Sequence, residues 1–163
     1  KKVDVDILTH FDQTAWAAYK AIYSESWKPE EERADILEAF AAAEGAAGRI
    51  RLGIARADGV PGAAQFWTVE NGTAYIHKLA HIEAATPLSA GTTLSAALFE
   101  YVIDTDGVEL VDFGTGSDAY KRDWMEQVRP RFRLTCLDWR QPRAWPAIAK
   151  AFVRHLAPHN RPS

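Results

Sequence analysis

The sequence predicts an α/β domain of the mixed α+β type, with a mainly antiparallel sheet flanked by helices in the order βααβββαβαβα. Segments with alternating apolar and polar residues, such as Val3–Leu8, are interleaved with segments of helical periodicity, such as Trp16–Tyr23. The dipeptides Asp58-Gly59 and Asn71-Gly72 are typical of hairpin turns. With 163 residues, 47% of them hydrophobic, the chain is long enough for one domain with one core.

Two helices are predicted between the first strand and the hairpins. Asp12 or Thr14 can cap a helix that begins near residue 13, because a short polar side chain accepts from a free N–H of the first turn. Pro29, followed by three glutamates, predicts the start of the second helix, since proline and carboxylates both suit the first turn. The segment Gly45–Gly48 predicts its end.

Strands and helices alternate through the rest of the chain, and three of the strands form an antiparallel meander. The predicted strands are Arg49–Ala57, Ala63–Val69, Thr73–Ile82, Glu109–Phe113 and Arg131–Trp139. The predicted helices are Gly91–Asp104, a helix that Ser117 caps and Pro130 ends, and Trp145–Leu156. Residues Ala84–Ala90 are predicted to form a loop.

Charge and cysteine content exclude several classes of function. The net charge of −3 gives no overall positive field, so we expect neither nucleic acid nor a membrane as partner. A late group of basic residues is interpreted as a solvated edge strand, with an anion-facing surface as the alternative; it comprises Arg129, Arg131, Arg133, Arg140 and Arg143. The single cysteine, Cys136, is expected to be a small core residue, and it fits a reducing, cytoplasmic location. No apolar run approaches the roughly 20 residues that span a bilayer.

The segment that carries chemistry runs from the strand at Tyr75–His81 to the helix start at Thr92. The first N–H groups of a helix have no internal partners and its dipole adds positive potential, so this start can bind a pyrophosphate. Small side chains at Ser89, Ala90 and Gly91 would let phosphate oxygens approach the backbone, and Thr92 could add a hydroxyl donor. The alternative is an ordinary helix cap.

This spacing resembles the acyl-CoA loop of GNAT acyltransferases, which follows a Gln/Arg-x-x-Gly-x-Gly/Ala pattern. Thr86 stands at the Gln/Arg position, Ser89 at the first glycine and Gly91 at the second, so two of the three positions differ from the pattern. The resemblance implies acyl-CoA as co-substrate and no metal. It also implies that the backbone of Leu79, Ala80 and His81 holds the pantetheine chain. The residues implied to hold the pyrophosphate are Leu88, Ser89, Ala90, Gly91 and Thr92.

Four blocks of sequence carry a second resemblance, which extends over most of the chain: Ser26–Glu31, Gly53–Trp67, Tyr75–His81 and Asp112–Trp124. Together they resemble the bacterial FemAB/CelD-like group of GNAT proteins. This resemblance implies an association with exopolysaccharide or cellulose assembly, and hence a small-molecule or saccharide acceptor. Members often contain two GNAT-like halves, so we expect residues 1–163 to be a single acyltransferase domain, with one half of a larger protein as the alternative.

Acyl transfer needs a base for the acceptor and a proton for the leaving thiolate. Tyr120, shortly after a predicted strand, matches the tyrosine that commonly protonates the thiolate in this family; the alternative is a core tyrosine that packs beside Trp124. His77 is the candidate base, because imidazole titrates near neutral pH.

Strand alternation predicts that Tyr75, His77, Leu79 and His81 share one face. His77 and His81 could then share a metal ion, but the one further candidate ligand, Glu83, stands at a loop edge and is not convincing, so no metal is expected. Trp27 and Trp67 are candidates to line the acceptor pocket, and core packing is the alternative for both.

The sequence therefore favours an acyl-CoA-dependent N- or O-acyltransferase. A non-catalytic GNAT-like binding module is the alternative, and a tRNA-dependent aminoacyl transferase fits the net charge less well. The expected absence of a final strand hairpin makes a homodimer possible, because exposed sheet edges are normally covered.

Overall fold

The computed structural model describes residues 2–116 and 118–156, which divide into two compact units, Lys1–Lys121 and Arg122–Ser163. The strands are β1 (Val3–Leu8), β2 (Ile50–Ala57), β3 (Val60–Glu70), β4 (Thr73–His81) and β5 (Leu110–Asp112). The helices are α1 (Gln13–Glu25), α2 (Ala34–Ala46), α3 (Ala90–Glu100) and α4 (Trp145–Leu156). Short 3₁₀ segments occupy Glu83–Leu88, Ala119–Asp123 and Pro142–Ala144.

The five strands form one sheet in the order β1-β2-β3-β4-β5, with antiparallel pairing except between β4 and β5, which run parallel. Both predicted hairpin turns are confirmed. Asp58 and Gly59 have φ values of 51° and 82°, and Asn71 and Gly72 have values of 50° and 70°. Two consecutive positive φ angles give the turn a twist that matches the flanking strands. Asparagine, aspartate and glycine tolerate positive φ angles, which explains why Asx-Gly sequences occur at both turns. The predicted mixed, mainly antiparallel fold class is confirmed.

The sheet carries a separate hydrophobic core on each face. Trp16 and Tyr19 of α1 pack with Phe66 of β3 in one core. Leu94 and Leu98 of α3 pack with β3 and β4 residues in the other core. A Cβ atom on residue 53 would lie 2.8 Å from the Leu94 side chain, so the glycine there allows α3 to approach β2 closely.

Helix starts and ends account for most differences within the first unit. Asp12 caps α1 as predicted, accepting from Ala15 N at 2.7 Å. The second helix begins at Ala34 rather than at Pro29. Glu31, in the intervening segment, instead forms an ion pair with Lys78 of β4. The predicted loop before α3 is a 3₁₀ helix. The last turn of the predicted Gly91–Asp104 helix is a π-helix, Tyr101–Thr105.

The predictions for the C-terminal part are less accurate. Ser117, the expected helix cap, lies outside the described residues. The predicted helix after it is replaced by the short 3₁₀ turn Ala119–Asp123. The predicted strand Arg131–Trp139 is not formed. A strand needs a partner for its backbone hydrogen bonds, and the described residues of this unit contain none. Cys136 is consequently exposed rather than in a core. The final helix has the predicted bounds.

None of the helices in the described ranges is both long and apolar enough to cross a membrane.

Candidate active site

Strands β4 and β5 lie side by side over three residue pairs, and β5 ends at the third pair. Their pairing runs from Thr73 opposite Leu110 to Tyr75 opposite Asp112. Beyond this point, the described part of the chain gives β4 only β3 as a neighbouring strand. Residues 76–81 of β4 therefore have no neighbouring strand on that side among the described residues, up to the 3₁₀ segment that precedes α3. We call this unpaired side of β4 the β4–β5 gap.

The backbone groups of two residues in β4 face this gap. Ile82 N–H donates to Gly62 C=O at 3.0 Å on the β3 side. Because backbone groups alternate in direction along a strand, Ala80 also faces β3, whereas Leu79 and His81 face away from it. Of the three residues implied to hold pantetheine, Leu79 and His81 can therefore offer main-chain hydrogen bonds to a ligand.

A β-bulge interrupts β4 beside the point where the gap opens. Phe66 lies opposite Lys78, but its neighbour Trp67 lies opposite Ile76, so His77 is an extra residue in the pairing. The bulge turns His77 and Lys78, although they are consecutive, to the same side of the sheet, toward α1 and α2.

The bulge shows that the prediction of one shared face for Tyr75, His77, Leu79 and His81 is wrong. The extra residue shifts the alternation, so Leu79 packs against the α3-side core while His77 lies on the opposite face. His77 and His81 therefore do not form a two-histidine site. Residues 2–116 and 118–156 contain no group of three or more His, Cys, Asp or Glu side chains that could hold a metal ion.

The His77 ring is held between two phenylalanines and one hydroxyl. Its centroid lies 5.2 Å from that of Phe40 and 5.1 Å from that of Phe66. Its Nε2 lies 2.8 Å from Thr68 Oγ1. Partial burial of the ring lowers the pKa of His77, although Glu44 opposes the shift. The imidazole is therefore neutral at neutral pH, as a base must be.

The first turn of α3 presents the features expected of an anion site. Ser89 precedes the helix with a left-handed φ of 52°, and its side chain does not cap the helix. The hydrogen bond from Thr93 N–H to Ser89 O is the first within the helix. The N–H groups of Ala90, Gly91 and Thr92 therefore have no acceptor inside the helix. Leu88, which is partly buried, ends the 3₁₀ segment just before this turn.

Residue 91 has little space for a side chain. A Cβ atom there would lie 3.2 Å from Nδ1 of His81. Ala90 beside it is fully buried, whereas Thr92 is exposed. Glycine at this position keeps the helix start close to the end of β4, so the N–H groups of the first turn of α3 lie near the backbone groups of β4 that face away from β3.

A buried glutamine, missed in the sequence analysis, connects β3 to the same turn. Gln65 Nε2 donates to Ser95 Oγ at 2.7 Å and to Gly91 O at 3.4 Å. Trp67 Nε1 donates to Gln65 Oε1 at 2.9 Å. Trp67 is fully buried and stacks edge-on against Phe99. It therefore supports the α3 turn from inside the core and does not line an accessible surface.

The other candidate tryptophan lies at the surface near the gap. Trp27, which follows α1, is 57% exposed. Its ring centroid lies 4.3 Å from that of His81. Burial and the nearby Lys28 lower the pKa of His81, so this ring too is neutral at neutral pH. Trp27 and His81 thus form a wall at the α3 end of the gap.

Tyr120 lies on the β5 side, after a tight loop. Asp112 Oδ1 accepts from Gly114 N at 2.6 Å, and Lys121 Nζ donates to Thr115 O at 2.6 Å, so both residues order this loop. The Tyr120 ring lies 6.4 Å from that of Phe113, the residue after β5. Partial burial, reinforced by Asp118, raises the pKa of Tyr120 and keeps the phenol protonated.

A polar cluster on the α1–α2 face was also missed. Lys78 pairs with Glu31, and its Nζ lies 5.6 Å from the centre of the Tyr23 ring. The Tyr19 hydroxyl is buried without a hydrogen-bond partner among the described residues, and burial raises its pKa. Because Lys78 follows His77 directly, this Glu31–Lys78 cluster lies beside the candidate base. No sequence spacing signals it, since the partners are 47 positions apart.

A family model described as an acetyltransferase (GNAT) domain matches residues 2–122. The match ends within two residues of the boundary between the two compact units. No curated protein matches the chain at the level of sequence.

Three solved structures show a similar fold at low identity. AAC(6')-Iy, in complex with the bisubstrate analogue CoA-S-monomethyl-acetylneamine, has a TM-score of 0.60 and 14% identity, covering 83% of this chain and 100% of that chain. An aminoglycoside antibiotic 6'-N-acetyltransferase from Acinetobacter baumannii has a TM-score of 0.59 and 10% identity, with coverages of 84% and 100%. The ribosomal-protein-S18-alanine N-acetyltransferase from Escherichia coli has a TM-score of 0.58 and 16% identity, covering 75% of this chain and 73% of that chain. At these identities the likeness establishes the fold.

Proposed function

Because this chain belongs to the acetyltransferase (GNAT) domain family, we propose that it transfers an acyl group directly from acyl-CoA to an amine or hydroxyl acceptor. The family makes it an acyltransferase, in class EC 2.3.1. The observation that carries the proposal is the β4–β5 gap, with the first turn of α3 next to its end. A solved structure of similar fold contains a CoA-based bisubstrate analogue, which supports the same class of co-substrate.

The proposed co-substrate would lie along β4. Main-chain groups of Leu79 and His81 would bond the pantetheine amides, and the N–H groups of Ala90, Gly91 and Thr92 would bind the pyrophosphate. This arrangement would put the thioester near Ile76 and the bulge, where the pairing of β4 with β5 ends. The bulge residue His77 would then be the candidate base for the reacting groups.

The proposed chemistry requires one proton acceptor and one proton donor. His77, directly or through water, takes the proton from the acceptor ammonium or hydroxyl, and the freed nitrogen or oxygen attacks the thioester carbonyl. The carbon–sulfur bond then breaks, and Tyr120 gives its proton to the leaving thiolate. With an amine acceptor, the excess proton on the acylated nitrogen passes through water to the Tyr120 phenolate, and the proton on His77 is released to solvent; with a hydroxyl acceptor, the proton on His77 returns through water to Tyr120. Pre-oriented backbone N–H groups of β4 would stabilise the developing oxyanion.

The acceptor would enter from the α1–α2 face. The Glu31–Lys78 cluster offers one anionic and one cationic group there, near His77, and Trp27 offers an exposed aromatic surface at the α3 end of the gap. The charged pair can both accept from and donate to a hydroxylated molecule. We therefore propose a small hydroxylated acceptor, such as an amino sugar or polysaccharide precursor. The FemAB/CelD-like relationship inferred from the sequence is part of this proposal.

Thermal unfolding with and without acetyl-CoA tests the proposed site. Ligand at about a hundred times its Kd stabilises the folded state by roughly 2.7 kcal/mol, which corresponds to a rise in Tm of roughly 5–10 °C for a chain of this size. The variant Gly91→Leu should lose this rise, because a side chain at residue 91 meets His81 and covers the amides. Ala96→Leu adds similar bulk at an exposed position of the same helix and should keep the rise.

An unchanged Tm for the wild type at millimolar acetyl-CoA would overturn the proposal and favour a GNAT-like binding module. A rise that persists in Gly91→Leu would show that the ligand binds elsewhere.

A further inference from the structure

The bulge at His77 brings its imidazole to a buried threonine on the neighbouring strand. Thr68 lies opposite Tyr75, two residues before His77 along β4. Tyr75 and His77 share one face because they are two positions apart in the strand, and His77 Nε2 reaches Thr68 Oγ1 at 2.8 Å. Thr68 is only 4% exposed, so water does not readily compete for its hydroxyl.

Among residues 2–116 and 118–156, the remaining surroundings of the ring offer no comparable hydrogen-bond partner. Phe40 and Phe66 cover the imidazole with apolar surface. The nearby carboxylate of Glu44 is engaged by Arg49 through two bonds of 2.7 and 2.6 Å. Among the described residues, the contact with Thr68 is therefore the one that can orient the ring and select its tautomer.

The hydrogen bond at one ring nitrogen decides which nitrogen can act as a base. If Nε2 carries the hydrogen and donates to Thr68 Oγ1, Nδ1 keeps its lone pair and can accept a proton. If the threonine hydroxyl donates to Nε2, the hydrogen sits on Nδ1, and neither nitrogen has a free lone pair. Only the first arrangement is compatible with a base.

We propose that Thr68 is a positioning residue that accepts a hydrogen bond from Nε2–H of His77 and thereby makes Nδ1 the proton-accepting nitrogen. This inference rests on the proposed role of His77. It adds a residue that touches neither co-substrate nor acceptor and acts only through the imidazole.

Nitrogen-15 NMR of protein labelled at histidine tests the inference without requiring turnover. The wild type should show His77 with its hydrogen on Nε2 at pH 7.5. Thr68→Val has nearly the same shape but no hydroxyl, so both tautomers should become populated. Thr68→Ser should restore the wild-type pattern. Thr73→Val, on the adjacent strand, is the matched control and should leave the His77 signals unchanged.

Turnover provides a second readout, measured as release of CoA thiol from acetyl-CoA with glucosamine as the probe acceptor. Loss of an orienting partner should lower kcat by at least about tenfold in Thr68→Val, by analogy with orienting partners of metal-bound histidines, and Thr68→Ser should recover most of it. KM for acetyl-CoA should not change.

A wild-type His77 with its hydrogen on Nδ1, or a Thr68→Val variant with unchanged tautomer and unchanged kcat, would overturn the role of Thr68. A His77→Gln variant with wild-type turnover would instead overturn the proposed role of His77 as the base. The two failures are therefore distinguishable.

Discussion

At the scale of single residues, the surroundings of His77 set a pH dependence. Burial lowers the pKa of the imidazole below its ordinary value of about 6.5. A base acts in its unprotonated form, so kcat/KM should fall as the pH decreases through this lowered pKa. The acid limb of the profile should therefore have its midpoint below pH 6.5. The measurement is kcat/KM for thiol release from acetyl-CoA between pH 5 and 9.

His77→Gln should lower kcat/KM by about a hundredfold near pH 8, within the usual range for general base catalysis, and abolish the acid limb. Tyr120→Phe is the matched comparison: it should lower the rate across the profile but leave the acid limb in place, because His77 still titrates. An acid limb that survives in His77→Gln would assign the titration to another group.

Some residues of the site could be identified from sequence, and others could not. Gly91 could be identified because a small residue at a predicted helix start lets a ligand approach the backbone, and this follows from the local sequence alone. The orientation of His77 was not, since one extra residue in β4 changes which face it occupies. Gln65, Thr68 and Glu31 were missed because their partners are distant in the sequence.

At the scale of secondary-structure elements, one buried ion pair connects the segment after α3 to the sheet. Arg51 of β2 donates to both carboxylate oxygens of Asp106, at 2.8 and 2.6 Å, just after the π-helix. Both side chains are only 10% exposed. Arg51 also donates to the main-chain carbonyls of Gly48 and Ile50. The guanidinium thus joins a loop, a strand and a helix end.

Asp106→Asn should reduce the free energy of unfolding by about 3 kcal/mol, because it leaves the Arg51 charge buried without a counter-charge. Urea denaturation followed by circular dichroism measures the change. Asp6→Asn is the matched control, since Asp6 pairs with Arg56 between β1 and β2 but is 62% exposed. It should cost less than about 1 kcal/mol. Equal effects of the two variants would contradict the structural role assigned to Arg51.

Elements with local signals were the predictable ones. The Asx-Gly turns specify both hairpins by backbone geometry alone, and Asp12 specifies the start of α1. The start of α2 was mispredicted, and Glu31, which was expected in its first turn, instead pairs with Lys78 across the fold. The alternation in Arg131–Trp139 resembles a strand, but a strand also needs a neighbouring strand, which alternation does not provide.

At the scale of the whole molecule, the two compact units differ in regular structure. The family match covers the first unit and ends near its boundary. In the second unit, residues 127–138 contain no helix or strand and are exposed. The unit nevertheless contains α4, whose start is bonded to the preceding turn through Trp145 Nε1 and Trp139 O at 2.9 Å.

Limited trypsin digestion should therefore cut first after Arg131 or Arg133, because cleavage requires an extended, accessible backbone. Mass spectrometry of the early products would identify the site. Arg51 and Arg56 are internal controls: both lie in β2, and their peptide bonds should stay intact on the same timescale. An early cut within β2 would contradict the assignment of residues 50–57 to a stable sheet.

The early end of β5 beside β4 also has a consequence for solvent exchange. In the free protein, the amides of Leu79 and His81 face the gap and should exchange their hydrogens for deuterium faster than those of Ala80 and Ile82, which are turned toward β3. Bound acetyl-CoA should slow the first pair and leave the second unchanged. The co-substrate would then protect the main chain as a sixth strand would, and its pantetheine arm would complete the sheet.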